Sequence, residues 1–394
     1  MSQGSIVITG FARTPMGGFQ GDFSSVTASD LGSSAIWAAV ERSSLKSNTI
    51  ESVVMGCVLQ AGQGQAPARQ AALGAGIPQS AGCATVNKMC GSGMQAIMMA
   101  HDSLLAGSYK VMVAGGMESM TNAPYLLPKA RGGFRMGHGE VKDSMFLDGL
   151  EDAYDKGKLM GVFAEKCAEK YGFTREDQDE FAIESVRRSQ DAMEGGNFEK
   201  EITPVTFSSR KSDVEITEDE QPKKAMLDKI PKLRPAFAKD GTVTAANASS
   251  ISDGAAAVVM MKESEAEKHN ITPIAKIVAH ATHAHEPEWF STAPVGAMNK
   301  LFVKTGWSVG DIDLFEINEA FAVVTMAAMH DLQIPHEKVN IYGGACALGH
   351  PIGASGARIV CTLISALQQT GGRRGIASLC IGGGEAVALA VEIL

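Results

Sequence analysis

A cysteine beside two glycines is the residue of this sequence best suited to covalent chemistry. Cys90 follows a short apolar run and precedes Gly91 and Gly93, and apolar residues at helical spacing continue up to Gly107. We therefore expect Cys90 at a helix N-terminus, where unpaired N–H groups and the helix dipole favour a thiolate and lower the thiol pKa. A small buried cysteine in an α/β core is the alternative interpretation.

Three further polar segments stand at or just past predicted strand ends, and they could supply partners for Cys90. They are Asn318-Glu319, His350 and Cys380. A thiol with a neighbouring imidazole is the minimal activated nucleophile, and a second cysteine can act as a separate general acid/base. Each segment also has a structural interpretation: Asn318 as the N-cap of a helix from Ala320, His350 as a turn residue, and Cys380 as the end of a buried strand.

Composition limits the classes of protein that fit. The chain has 394 residues with 45% hydrophobic and 20% charged side chains, which predicts a soluble globular protein of two or three units. The net charge of −9 argues against a nucleic-acid-binding protein, and no apolar run approaches the length of a membrane span. Seven scattered cysteines without a CxxC pair fit a reducing cytosol, and an immediate N-terminal strand predicts no signal or transit peptide.

The order of predicted strands and helices occurs twice, which indicates two related α/β halves. Strands alternate with helices in each half, so we expect largely parallel strands covered on both faces. In this register the Cys90 turn of the first half corresponds to the His350 turn of the second. Coincidental alternation is the alternative. The predicted strands and helices of the second half are 274–280, 296–305, 311–317, 320–332, 339–342, 357–368 and 375–380.

A more charged segment separates the two halves and is predicted to be an insertion. The segment after it, from Asp253 to Met260, is predicted to start as a small-residue helix and continue as a strand of the first half's sheet. We therefore assign residues 1–121 and 250–270 to an N-terminal half, 122–249 to an inserted loop domain, and 271–394 to a C-terminal half. A long insertion of this kind is a natural ligand-binding platform.

Four segments together resemble the four motifs of the thiolase family. They are NKMCGSG at 87–93, NEAFA at 318–322, GGACALGHPIGASG at 343–356 and CIGGG at 380–384, and the segment 233–249 resembles a further family segment. The resemblance covers essentially the whole chain in the same order. It implies an α/β thiolase-like fold, in which two duplicated halves with mixed sheets form α-β-α-β-α layers and carry an inserted CoA-binding loop domain.

The resemblance also implies a role for each catalytic residue. Cys90 is similar to the nucleophile that becomes S-acylated, and His350 to the base that activates it. Cys380 is similar to the acid/base that moves the α-proton. Asn318 resembles the residue that positions a water in one oxyanion hole, with His350 as second donor. The backbone N–H groups of Cys90 and Gly382 resemble the other hole.

Substrate contacts are implied in the same way. Ser249, with Ala245 in the same segment, resembles a contact to pantetheine, and Phe237 packs beside CoA. Lys223 stands where many relatives carry an arginine near the nucleotide; a solvated loop charge is its alternative. Leu159, Met160 and Phe290 correspond to acyl-pocket positions. Leu159 and Phe290 depart from the pattern common in relatives that favour acetoacetyl-CoA, and Phe290 would narrow the pocket or reshape it.

The resemblance implies an acetyl-CoA C-acetyltransferase, which interconverts two acetyl-CoA with acetoacetyl-CoA and CoA. The alternative is a 3-ketoacyl-CoA thiolase of broader chain length in fatty-acid β-oxidation. A decarboxylating synthase of the same fold would lack Cys380, and a catalytically idle relative would lack part of the residue set. CoA is a substrate, so no cofactor is expected, and the segment 125–145 resembles the loop that forms homotetramers.

Three closely spaced histidines suggest a metal site. His280, His283 and His285 have a spacing that could bind a metal ion. Nothing in thiolase chemistry needs a metal, so we interpret them as edge or loop histidines and expect no metal.

Overall fold

The described residues form one large sheet and eleven α-helices. The computed structural model describes residues 4–208 and 212–394; residues 1–3, in the predicted N-terminal half, and 209–211, in the predicted insertion, lie outside it. The strands are β1 (Ile6–Arg13), β2 (Gly17–Gly18), β3 (Ser52–Gly56), β4 (Gly82–Val86), β5 (Val111–Ser119), β6 (Tyr125–Leu126), β7 (Lys142–Asp143), β8 (Val205–Ser208), β9 (Asp213–Ile216), β10 (Ser252–Lys262), β11 (Ala275–Ala284), β12 (Leu314–Ile317), β13 (Arg374–Ile381) and β14 (Glu385–Ile393). The helices are α1 (Ala28–Arg42), α2 (Pro67–Gly74), α3 (Ser92–Ala106), α4 (Met160–Tyr171), α5 (Arg175–Glu194), α6 (Glu220–Lys224), α7 (Glu263–Lys268), α8 (Ala293–Thr305), α9 (Ala322–Leu332), α10 (Ala345–Leu348) and α11 (Ser355–Thr370).

The main sheet contains both predicted halves. Its order is β12-β13-β14-β11-β1-β10-β5-β3-β4, and β2 pairs with β10. The β12–β13, β3–β4 and β3–β5 pairs are parallel and the other pairs are antiparallel, so the sheet is mixed and the prediction of largely parallel strands is wrong. The halves join where β1 pairs with β11 over Ile6 to Ile8, which makes the two half-sheets continuous.

The strand order confirms the duplication. Outward from the joint, the first half runs β1, β10, β5, β3 and β4, and the second runs β11, β14, β13 and β12 in the matching order. The counterpart of β4 was predicted as a strand at 339–342, which is wrong. Only Val339 bridges to Phe315, and the chain then turns at Gly343, whose φ is 75°.

Five layers stack in the predicted α-β-α-β-α order. Helices α3 and α11 share one buried apolar cluster with strands of both halves, so they form the central layer. Helices α1 and α2 cover the outer face of the first half-sheet, and α8 and α9 cover that of the second. The fold class predicted from the resemblance is therefore confirmed.

The segment after the insertion differs from its prediction. Residues 252–262 are all strand, without the helical start expected from their small side chains. The small residues serve a different purpose, because β10 is buried on both faces between α1 and α11. A Cβ on Gly254 would lie 2.5 Å from the sulfur of Met16. The strand does complete the first half-sheet, while the domain boundaries themselves stay a prediction.

Among the described residues, no helix is long and apolar enough to cross a membrane.

Glycines let α3 and α11 approach each other at their N-terminal ends. A Cβ on Gly93 would lie 2.8 Å from the backbone nitrogen of Ala357, and one on Gly356 would lie 2.5 Å from that of Met94. A Cβ on Gly116 of β5 would lie 2.1 Å from the carbonyl oxygen of Gly353. Side chains essentially never pack this closely, so the central layer requires glycine at these positions.

We expect Gly93→Ala to lower the free energy of unfolding by about 1–3 kcal/mol, because the added methyl group meets backbone atoms that cannot move independently. Denaturant unfolding followed by circular dichroism measures this change. Gly132→Ala is the matched control, since a Cβ there meets nothing within 4 Å. Equal stability of the two variants would contradict the packing argument.

Candidate active site

A tight turn places Cys90 directly before α3. The N–H of Gly91 donates to the Lys88 carbonyl at 3.0 Å, and the Ser92 hydroxyl donates to the Met89 carbonyl at 2.6 Å. Met89 has a φ of 47°, in the left-handed region that non-glycine residues rarely adopt. Backbone strain of this kind often occurs at functional sites. Gly91 adopts an ordinary negative φ, and it is needed because a Cβ there would lie 2.4 Å from Ile381.

Two effects act in opposite directions on the pKa of the Cys90 thiol. Two backbone N–H groups, those of Gly382 and of Cys90 itself, point at the sulfur and lower its pKa. Burial is the larger effect and raises the pKa of the thiol to about 11. The predicted position at a helix N-terminus is confirmed, since α3 begins at Ser92, but the predicted low pKa is wrong because desolvation outweighs the helix end.

His350 is held as a neutral base. Its Nδ1 lies 2.6 Å from Oγ of Ser355, and that hydroxyl donates to the Pro351 carbonyl at 3.0 Å. Ser355 must therefore accept from Nδ1–H, which leaves Nε2 with its lone pair. Burial, with the charge of Arg358 as a smaller cause, lowers the pKa of His350 to about 3, so the ring is neutral above about pH 4.

The side chain of Asn318 lies close to that of His350, and both residues belong to the second half of the chain. Its Nδ2 lies 3.5 Å from Nε2 of His350, a long contact. The predicted N-cap role is wrong, because α9 begins later, at Ala322, with Phe321 at its N-cap. The buried Oδ1 of Asn318 has no hydrogen-bond partner among the described residues. Such an atom costs about 1–3 kcal/mol, which is typical of a group kept for a ligand.

Cys380 is buried near the end of β13 and close to Cys90. Burial, and after it the neighbouring Cys90, raise the pKa of the Cys380 thiol well above its usual range. Its apolar neighbours form a cluster with Phe290 and Phe321. The next residues, Ile381 and Gly382, contact the Cys90 turn, which brings the two cysteines together.

An ion pair links the loops that carry the two cysteines. Lys88, two residues before Cys90, pairs with Glu385, which follows the glycines after Cys380. The Glu385 carboxylate therefore joins the first half of the chain to the second next to the site.

Glu118 also organises the site, although it is not among the residues predicted above. Its carboxylate accepts hydrogen bonds from the backbone N–H groups of Val58, Leu59 and Gly353 at 2.9, 3.1 and 2.9 Å. Burial raises the pKa of Glu118 to about 7, although these donors lower it. The carboxylate fastens the His350 loop to the first half-sheet. An acidic residue near the end of the apolar strand β5 was the available signal.

The predicted acyl-pocket residues gather around the second cysteine. Phe290 is buried, and its ring lies 6.2 Å from that of Phe321 in the cluster that contains Cys380. Met160 begins α4 and approaches the catalytic glycines, since a Cβ on Gly382 would lie 3.7 Å from its methyl carbon. Leu159, the N-cap residue of α4, is half-buried beside it.

The predicted CoA contacts lie at different distances from the catalytic loops. The backbone N–H of Ser249 donates to the Ala320 carbonyl at 3.0 Å, which places it two residues from Asn318, and Ala245 is exposed in the same segment. Phe237 packs over Gly161 of α4. Lys223 lies on α6 with its side chain half exposed and paired with Glu218, so its contacts are at the surface rather than with the catalytic loops.

The raised pKa of Cys90 predicts a pH dependence for its alkylation. Well below a pKa of about 11 the thiolate fraction rises tenfold with each pH unit, so iodoacetamide should modify Cys90 about ten times faster at pH 9 than at pH 8. Mass spectrometry of the Cys90 peptide measures the rate, and the Cys83 peptide serves as an internal control. A rate that levels off below pH 8 would show a stable thiolate instead.

Comparisons with known proteins agree on the family. Residues 6–264 match the model of the thiolase N-terminal domain, and residues 271–393 match that of the C-terminal domain. The chain is 50% identical to acetyl-CoA acetyltransferase 2 of Arabidopsis thaliana, over 99% of this chain and 97% of that protein, and 47% identical to an acetyl-CoA acetyltransferase of Rhizobium meliloti over 100% of both. The Acat5 thiolase of Ascaris suum in complex with coenzyme A superposes with a TM-score of 0.94 at 42% identity, covering 99% of this chain and 100% of that one. This chain is a member of the thiolase family.

Proposed function

We propose that this protein is an acetyl-CoA C-acetyltransferase, which condenses two acetyl-CoA into acetoacetyl-CoA and CoA and runs the reverse thiolysis. The observation that carries the proposal is the arrangement around Cys90: its sulfur accepts from the Gly382 N–H, and Cys380 lies beside it. The relatives named acetyl-CoA acetyltransferase, which match along their whole length, support the same substrates.

In the first half-reaction Cys90 takes the acetyl group. His350 Nε2 accepts the thiol proton while the sulfur attacks the thioester carbonyl of acetyl-CoA. The N–H groups of Cys90 and Gly382 stabilise the oxyanion. The carbon–sulfur bond to CoA breaks, and the CoA thiolate leaves with the proton from His350. A neutral imidazole suits this task, because a protonated ring could not accept the proton.

In the second half-reaction Cys380 moves the α-proton. The Cys380 thiol gives its proton to Nε2 of His350, and the resulting thiolate removes a proton from the second acetyl-CoA. The enolate oxygen is held by the Nε2–H of His350 and by a water positioned by Asn318. The α-carbon attacks the acetyl-cysteine carbonyl, and the Cys90 thiolate leaves and regains its proton from His350. In thiolysis Cys380 donates instead, which its raised pKa favours, since the resting side chain is a neutral thiol.

The inserted segment holds CoA in this proposal. Ser249 and Ala245 contact the pantetheine arm, and Phe237 packs beside it. Lys223 attracts a nucleotide phosphate, for which it must leave Glu218. The proximity of Ser249 to Asn318 supports a thioester that enters along this segment.

Short acyl groups are the proposed substrates. Phe290 is 2% exposed and packs with Phe321 and Cys380, so its ring fills space that a longer chain would need. Leu159 and Met160 bound the same region from α4.

Two experiments test the proposal. One compares the rates of thiolysis of C4 to C12 3-ketoacyl-CoA, and the other measures the labelling of the enzyme by radioactive acetyl-CoA. We expect the C4 substrate to exceed C10 in kcat/KM at least about tenfold, because a closed pocket excludes added methylenes. Cys380→Ser should accumulate acetyl-enzyme yet condense about 100-fold to 10,000-fold more slowly, as loss of a general base predicts.

Cys90→Ser is the matched control and should accumulate no acetyl-enzyme. Similar rates for C4 and C10 would instead identify a broad 3-ketoacyl-CoA thiolase. Unchanged turnover in Cys380→Ser would overturn the two-cysteine mechanism.

We also propose a homotetramer in the cytoplasm. The segment 125–145 carries exposed apolar side chains, among them Tyr125 and Met136, the latter 95% exposed, which supports burial against other copies. All seven cysteines lie in the described part of the chain and are free thiols, which fits a reducing compartment. Residence in an oxidising compartment, measured by cell fractionation, would contradict this localisation.

Light scattering should give about four times the chain mass of 41.4 kDa. Met136→Asp should halve the assembly, because a buried charge opposes association. Val303→Asp, at an apolar side chain 86% exposed on α8, is the control and should leave the mass unchanged. A monomeric wild type would contradict the tetramer.

A further inference from the structure

Three side chains that the acyl transfer does not use converge where α3 meets β11. His101 Nδ1 lies 2.9 Å from Oδ1 of Asp102, and His280 Nε2 lies 2.8 Å from the same oxygen. The two imidazole rings meet edge to face with centroids 5.0 Å apart. One carboxylate oxygen therefore lies between two ring nitrogens that come from opposite halves of the chain.

The other two histidines of the 280–285 segment do not join this group. The rings of His283 and His285 lie 5.2 Å from each other, and His285 Nε2 is 2.7 Å from the Trp289 carbonyl. Of the three closely spaced histidines, only His280 therefore joins the cluster. Its partners come from α3 and are invisible in the local sequence pattern.

We propose that His101, Asp102 and His280 bind one divalent transition-metal ion of the zinc, cobalt or nickel class. Two imidazoles and one carboxylate are the side chains that these ions prefer, and a fourth position open to water is common in such sites. The three candidate donor atoms already lie within 4.8 Å of one another. This inference does not rest on the proposed acyl transfer.

The cluster needs one small movement to become a binding site. Donor atoms around a tetrahedral zinc ion are about 3.3 Å apart, as zinc–ligand distances of about 2.0–2.1 Å require. The carboxylate oxygen must therefore move outward by about half an ångström from the two nitrogens. Asp102 can make this movement because its side chain is 62% exposed, whereas the imidazoles are only 11% and 16% exposed.

Rigid elements hold the two nitrogen ligands. His101 lies on α3, whose apolar face is buried in the central layer. His280 lies in β11 and pairs with Leu389 of β14. The Nζ of Lys304 donates to the backbone carbonyl of His280 at 2.7 Å. This hydrogen bond fixes the positively charged Lys304 side chain at the backbone of β11. Ligands on packed helices and strands are pre-positioned, so binding does not require a loop to become ordered.

A bound ion would join the two halves away from the catalytic loops. His101 lies nine residues after the start of α3, which is about 14 Å along the helix from the Cys90 turn. The expected consequence is a more stable junction between α3 and β11, since an ion that binds only the folded chain raises its stability. No step of the acyl transfer passes through it.

The test uses the purified full-length chain after removal of metals with a chelator. Cobalt(II) is titrated and its visible absorption recorded, and zinc binding is measured by calorimetry. We expect one ion per chain to bind wild type, with affinity reduced at least about tenfold in Asp102→Asn and in His280→Asn, because each loses a direct ligand. Zinc should also raise the melting temperature of wild type and leave that of Asp102→Asn unchanged.

His283→Asn is the matched control, since it removes a histidine of the same strand outside the cluster. Thiol sites for cobalt are common to all variants and cancel in the difference spectra. Asp102→Asn changes an exposed side chain, so its melting temperature without metal should match wild type and exclude misfolding. Binding that is equal in wild type, Asp102→Asn and His280→Asn, or that is lost in His283→Asn, would overturn the proposal, as would the absence of binding to wild type.

Discussion

The approach of α3 to α11 at their N-terminal ends is the contact on which the site depends. Cys90 directly precedes α3, and His350 lies five residues before α11, so the distance between these helix ends sets the distance between the two side chains. Backbone-to-backbone packing at Gly93 and Gly356 sets it with little freedom. Glu118 adds a second constraint by tying the His350 loop to the first half-sheet. The catalytic geometry is thus a property of the central layer rather than of flexible loops.

The same packing limits the access of water, and loss of hydration decides the protonation states. Burial keeps both active thiols protonated and His350 neutral at rest. Charge therefore develops only during reaction, in a place where oriented N–H groups already point at it. The helix end does favour a thiolate at Cys90, but loss of hydration is the stronger effect. The buried Oδ1 of Asn318 shows the same principle, because the fold tolerates a polar atom without a protein partner.

Features that depend on element order were predictable from the sequence. The duplication and the correspondence of the Cys90 and His350 turns follow from alternating strands and helices, with glycines at the turns. The strand ends indicated Asn318 and Cys380 as partners, and the family resemblance then implied their roles and the layer arrangement. The domain boundaries and the roles of the individual residues remain predictions.

Features that depend on three-dimensional neighbours were not predictable. The left-handed conformation of Met89 could not be predicted, because glycine is the usual sign of such a conformation and this position is not a glycine. The small residues of β10 suggested a helix. Their actual reason is the packing of α1 and α11 on the strand, and this packing could not be predicted because both helices are distant in sequence. Ser355 sets the tautomer of His350 through a hydrogen bond that cannot be seen in a sequence motif. The pKa values of Cys90 and His350 depend on burial, which the spacing of residues in the sequence does not reveal.

The position of β10 also determines when the first half can fold during synthesis. The strand lies between β1 and β5 in the sheet, yet 132 residues, from 120 to 251, separate it from β5 in the chain. At translation rates of about 5–20 residues per second, the ribosome needs about 7 to 26 s to make that segment. Until then β1 and β5 lack the neighbour that covers their edges, and uncovered strand edges favour aggregation. The segment 120–251 therefore delays closure of the sheet and extends the time for which the nascent chain has these edges uncovered.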